Sequence, residues 1–151
     1  MAMTVNDTGG VSIRRGCVDD AAAVAVLSDQ LGYLTPEIDV KERLAEIERV
    51  PTQAVFVSCL GGEVVGWVDV AIVLHLQSRR FALIGGLVVK EGLRGMGIGK
   101  RLCQEAETWA REQGVDAVRV KSRSTRADAH RFYLRDGYRE VKTSRVFEKQ
   151  L

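Results

Sequence analysis

The segment Arg94-Gly95-Met96-Gly97-Ile98-Gly99-Lys100 carries the clearest chemical signal in this 151-residue chain. Its three glycines alternate with other residues. Glycine lets a backbone adopt positive φ and approach a ligand closely. An apolar run, Leu83 to Val89, precedes the loop, and Ile98, Leu102, Ala106, Trp109 and Ala110 follow at helical spacing. Strand, glycine loop and helix start, in that order, present unpaired N–H groups and the positive end of a helix dipole, which suit a phosphate. Arg94 and Lys100 add charge. A helix entry that merely needs tight packing is the competing reading. Two familiar phosphate loops are excluded. A Walker loop needs Gly-Lys-Ser/Thr, and Gly99-Lys100 is followed by Arg101. A dinucleotide fingerprint needs G-x-G-x-x-G, and these glycines are spaced two and two.

Composition bounds the rest. Hydrophobic residues make up 46% and charged residues 28%, as in an ordinary globular domain. The longest uncharged apolar run, Phe81 to Val89, is far short of the roughly 20 residues of a membrane span. Met1 to Val11 is polar and Gly-rich, lacks the apolar core of a secretory signal, and reads as frayed over residues 1–10. A single domain is expected over 11–151. Cys17, Cys59 and Cys103, with only His75 and His130, form no zinc spacing, so no metal is expected. They read as small buried hydrophobes in a reducing cytoplasm. Net charge is +2, but Arg119 to Arg145 carries nine Lys/Arg against three Asp/Glu. That suits an anionic ligand. A nucleic acid is the weaker candidate, because few aromatic residues interleave for stacking.

These chemical residues must be positioned by a mixed sheet. Val11 to Arg14 reads as a strand. Ala21 to Leu31 is a helix stopped by Gly32, and a second starts at Pro36, with Ile38, Leu44 and Ile47 on one side, and stops at Pro51. Ala54 to Leu60, the turn Gly61-Gly62, Val64 to Leu76 and Phe81 to Val89 form an antiparallel meander. The helix from Ile98 ends at Gly114. A strand Val115 to Val120, a short helix Ala127 to Arg135 and a last strand Val141 to Phe147 complete the order βααβββαβαβ. The expected class is α/β of the α+β type, a mostly antiparallel sheet with helices on both faces.

Two segments, at their separation and in this element order, resemble one family. Arg94-Gly95-Met96-Gly97-Ile98-Gly99, after Leu87-Val88-Val89, is similar to the R-x-x-G-x-G motif of the GNAT superfamily of N-acetyltransferases. Ala129-His130-Arg131-Phe132-Tyr133-Leu134-Arg135-Asp136-Gly137-Tyr138 resembles the family's A-x-x-F-Y-x-x-x-G-[FY] segment. The ending Val146 to Leu151 is similar to its closing strand, so the resemblance runs from Val11 to Leu151.

The resemblance implies an acetyl-CoA-dependent transfer to a primary amine of a small molecule or protein, without a covalent enzyme intermediate. Pantetheine would pair with Leu87, Val88 and Val89, and an N–H there would stabilise the oxyanion. The pyrophosphate would sit on residues Arg94 to Lys100. Tyr133 matches the general-acid tyrosine that protonates the departing thiolate, since a phenol is protonated at pH 7. Phe132 is expected in the core. Many members carry a carboxylate in the strand that reads here Phe81-Ala82-Leu83-Ile84-Gly85-Gly86-Leu87, which has no titratable group. Asp69 on the neighbouring strand is one candidate base, burial raising its pKa. His75 is another, and a water relay or an amine arriving neutral are further alternatives. Ser122-Arg123-Ser124 stands where the family often has Asn, and Arg123 is a candidate partner for a CoA phosphate. The two N-terminal helices, Gly32-Tyr33-Leu34 and Leu74 to Arg80 would build the acceptor site, Tyr33 being a candidate lining residue. A CoA-binding regulator without catalysis is the alternative function. A homodimer is common among similar proteins.

Overall fold

The computed structural model describes residues 10–151, so the expectation of a frayed start falls almost wholly outside the described residues. These fall into two compact units, meeting at Val120 and Lys121. The first holds a five-stranded sheet in the order β1-β2-β3-β4-β5. Its strands are β1 (Val11–Arg15), β2 (Gln53–Leu60), β3 (Glu63–Val73), β4 (Phe81–Val89) and β5 (Val118–Val120). Three helices belong to it: α1 (Ala21–Ser28), α2 (Glu37–Glu48) and α3 (Ile98–Glu112). The second unit holds α4 (Ala127–Arg135).

β1 to β4 pair antiparallel, and β5 joins β4 in parallel. The expected mixed, mostly antiparallel sheet with helices on both faces is therefore present. Gly61 and Gly62 have φ of 59° and 81°, the two positive values a tight two-residue hairpin of this kind requires. Along β2, Ala54 to Ser58 are all buried, as a strand covered on both faces should be. Val55 and Val57 pack with Ala21, Val24 and Ala25 of α1 and with Val40 and Leu44 of α2. On the other face, a Cβ at Gly66 would lie 2.6 Å from Ser58 Oγ and 3.2 Å from Leu102 Cδ1 of α3. Gly66 thus lets α3 lie against the sheet. In α3 the stripe Ile98, Leu102, Cys103, Ala106, Trp109 and Ala110 is buried.

Several expectations need correction. In α2 the core stripe is Val40 and Leu44, with Ile47 partly buried, while Ile38 is exposed. Residues 40, 44 and 47 share one face at helical spacing, and 38 does not. β3 stops at Val73, so Leu74 to Leu76 belong to a loop. β5 is only three residues long and starts at Val118, and Asp116 ahead of it is exposed and pairs with Arg79 at 3.0 Å. No helix or strand follows α4 among the described residues, so the last strand expected at Val141 to Phe147 does not form. Val141, Val146 and Phe147 are exposed. Alternation makes a strand only where a neighbour supplies ladder partners. Phe132, expected in the core, is half-buried, as α4 has no fully buried residue.

The entry into α1 depends on a buried charge. Arg14 of β1 donates from Nη1 and Nη2 to the two carboxylate oxygens of Asp20, at 2.8 and 2.7 Å. The Cys17 N–H donates to Oδ2 at 2.9 Å. Asp20 is buried, while Arg14 is about half exposed. The Arg14 hydrogen bonds, helped by that of Cys17, hold the Asp20 carboxyl below its ordinary range against the opposing effect of burial. This stability is present above the unfolded carboxylate value and lost as pH falls through the lower folded one. Asp20→Ala should cost about 1–3 kcal/mol at pH 7, the scale of unpaired polar groups. Urea denaturation at pH 7 and pH 3 should show the gap between wild type and variant shrinking in acid.

Candidate active site

β4 leads directly into the glycine loop. Gly92, Gly95 and Gly97 have φ of 85°, 87° and 78°, and no atom lies within 4 Å of a Cβ built on any of them. These glycines answer a backbone angle rather than crowding, and they leave the loop surface bare. Gly97 is the N-cap of α3 with no side-chain cap, and the first turn closes when the Arg101 N–H donates to the Gly97 carbonyl at 3.1 Å. The N–H groups ahead of it are the ones a helix leaves unpaired. Arg94 and Lys100 are exposed beside them, and Met96 is half exposed. Arg101 is committed elsewhere, donating to the Val11 carbonyl at 2.6 Å. The charge and geometry of this loop fit a pyrophosphate.

The strand before the loop has an open edge. β5 pairs with β4 only through Ala82, Leu83 and Ile84. From Gly85 to Val89 the outer edge has no strand partner among the described residues. The Lys90 N–H bonds the Val65 carbonyl on the inner side. Alternation then turns the backbone groups of Leu87 and Val89 outward and those of Val88 toward β3. An extended amide chain can pair with such an edge.

Asp69 on β3 lies opposite Gly86. Its carboxyl is largely buried, and burial pushes its pKa up to about 6, against the opposing N–H groups of Gly86 and of Asp69 itself. No charged side chain is among the causes. Beside it on the same strand, Trp67 has a buried Nε1 without a hydrogen-bond partner among the described residues. His75 is placed differently. It is exposed in the loop between β3 and β4, with its ring edge-on to Phe81 at 5.7 Å. Tyr33 is exposed after Gly32, which ends the α1 segment at φ 84°.

Tyr133 and Arg123 belong to the second unit. Tyr133 is half-buried in an aromatic row, with centroids 5.2 Å from Phe132 and 5.8 Å from Tyr138. The Arg123 carbonyl accepts the Arg126 N–H and contacts His130 Nε2 at 2.8 Å, which shapes the turn into α4. Among the described residues, no cluster of three His, Cys, Asp or Glu could hold a metal.

Gln30 was not foreseen. Its Nε2 donates to the Val89 carbonyl at 2.8 Å, and its Oε1 accepts the Glu91 N–H at 2.9 Å. It thereby fixes the junction of β4 and the glycine loop. A glutamine about sixty residues upstream gives no sequence signal of this.

The acetyltransferase (GNAT) family profile matches residues 22–138. The chain belongs to the GNAT family. An aminoalkylphosphonate N-acetyltransferase of Salmonella typhimurium is 40% identical over 80 residues, 52% of each chain. The match thus spans about half the length of that relative. An uncharacterized N-acetyltransferase of Chlorobaculum tepidum is 29% identical over 130 residues, 85% of this chain and 76% of that one. Among solved structures, the aminoglycoside N-acetyltransferase AAC(6')-Iy in complex with CoA superposes with a TM-score of 0.84 at 18% identity, covering 97% of this chain and 99% of that one. This last likeness speaks to the fold alone. The GNAT sheet seen here supports the family reading made from the two sequence motifs.

A buried, uncompensated carboxylate leaves a stability signature. The folded state binds its proton more tightly than the unfolded chain, where the value is near 3.8. Stability is therefore lost as pH rises from that value through about 6, and then levels off. The loss amounts to at most about 3 kcal/mol at 1.36 kcal/mol per pKa unit. Asp69→Asn removes this loss. Relative to wild type, the variant should gain up to that amount between pH 4 and pH 7, as read by urea denaturation.

Proposed function

We propose that residues 11–151 act as one catalytic domain, an N-acetyltransferase that moves the acetyl group of acetyl-CoA onto the primary amine of a small molecule. The observation that carries this reading is Asp69, a largely buried carboxyl titrating near 6 over the point where β4 parts from β5. A base poised near neutrality is what abstraction of an amine proton requires.

In this reading the outward backbone groups of Leu87 and the N–H of Val89, whose carbonyl is held by Gln30, pair with the pantetheine chain, and an N–H of this edge stabilises the oxyanion. The loop from Arg94 to Lys100 holds the pyrophosphate on backbone N–H groups, with the two side chains as counter-charges. Arg123 is assigned to a CoA phosphate. The amine nitrogen forms its bond to the acetyl carbon and gives its proton to Asp69. The carbon–sulfur bond then breaks, and Tyr133 gives its proton to the thiolate. Orientation along one strand edge supplies much of the acceleration. His75, exposed in its loop, serves less well as the base than Asp69. The relatives make aminoalkylphosphonates and aminoglycosides the first acceptors to assay. Three free cysteines fit a reducing cytoplasm.

A thiol-release assay over an amine panel tests the reading. Turnover on one amine should fall about 10- to 1000-fold in Tyr133→Phe, the range of a lost proton donor. In wild type, kcat should fall below a pH of about 6, where Asp69 takes up its proton. Asp69→Asn should be slow and lack that limb. Absence of turnover with a CoA-induced rise in melting temperature would instead indicate a non-catalytic CoA sensor. Absence of both would overturn the reading.

A further inference from the structure

The β3–β4 ladder slips at one point. Asp69 faces Gly86 and Val70 faces Ile84, so Gly85 has no partner across the ladder. This is a β-bulge, a device that redirects side chains locally. Neither Gly85 nor Gly86 has positive φ, so the backbone there suits any residue. Space is what excludes a side chain. A Cβ at Gly85 would lie 2.8 Å from Asp69 Oδ2 and 3.2 Å from Oδ1. A Cβ at Gly86 would lie 2.6 Å from Trp67 Cη2 and 3.2 Å from Asp69 Oδ1. Gly85 is exposed, although Ile84 before it is fully buried. The bare stretch of β4 therefore opens to solvent beside a carboxylate that is otherwise enclosed.

We propose that Gly85 and Gly86 are positioning residues, forming a side-chain-free notch in β4 that seats the Asp69 carboxylate and gives a primary amine its way to it. The proposal rests on the assignment of Asp69 as the base. The Gly86 N–H lowers the pKa of the carboxylate it faces, against the larger effect of burial. Trp67 forms the second wall. The two glycines divide the work. At Gly86 an added methyl meets a rigid indole ring, so substitution there disturbs the fold. At Gly85 it meets only the end of a short side chain, which swings aside.

Gly85→Ala is therefore the informative variant. Its carboxylate should lose its seat and titrate at least one pH unit lower than in wild type. Carbon-13 carboxyl NMR reads this, with the Asp69 signal assigned by its loss in Asp69→Asn. With a turned-over amine, kcat should fall 10- to 100-fold while KM for acetyl-CoA stays within twofold. In an Asp69→Ala background, Gly85→Asp brings a carboxylate into the same space from β4 and should recover at least tenfold in kcat. An unchanged titration and unchanged kcat in Gly85→Ala, with Asp69→Asn inactive, would overturn the notch and leave the base assignment standing. Full turnover by Asp69→Asn would overturn the base assignment itself. Without any turned-over amine, the NMR titration alone decides whether the notch seats the carboxylate.

Discussion

β4 pairs with β3 along one edge everywhere but at Gly85, and with β5 along the other for only three residues. A strand left half-paired inside a sheet exposes a row of donors and acceptors, and proteins manage such edges closely. Here the management is specific. β5 covers the start of the edge, and Gln30 covers its end at Val89. The stretch between them stays open. The glycine loop, the start of α3 and the Asp69 carboxylate all take their positions from this strand. Without the short β5 there would be no gap. Without the gap, the bulge at Gly85 would only weaken the sheet.

The carboxylate itself works against the fold. No cation compensates it, and ionisation in a largely buried place is unfavourable. The surrounding structure must over-determine its position, and it does so through the long antiparallel ladder of β3 with β2 and β4. Asp20 shows the opposite treatment of the same side chain. Arg14 and the Cys17 N–H hold it ionised, and it strengthens the fold. Two aspartates, one buried and compensated, the other largely buried and not, divide stability from chemistry.

Features with a local cause were legible in the sequence. Gly61-Gly62 demanded a tight hairpin, Gly32 and Gly114 stopped helices, and the alternating glycines marked the start of α3. Asp69 came into view only through the resemblance, as the nearest carboxylate to a strand that has none. Features that need register were not legible. Gly85-Gly86 read only as part of an apolar run, because nothing local says which residue lies across from them. Val40 displaced Ile38 from the core because the face of α2 is chosen by β2, not by α2 itself. The expected strand at Val141 to Phe147 rested on alternation alone, and a strand also needs an edge to join. Gln30 escaped notice because its partners, Val89 and Glu91, are distant in sequence.

That glutamine has a mechanical consequence. An amide can donate at one end and accept at the other, and Gln30 does both across the point where β4 turns into its loop. The segment after α1 and the β4–loop junction therefore lose a degree of freedom relative to each other. The junction cannot flex outward while the helical segment stays still, because one of the two bonds must break first. Gln30 turns two stretches of chain into a single strut, so the helical side of the sheet feels any displacement of the loop.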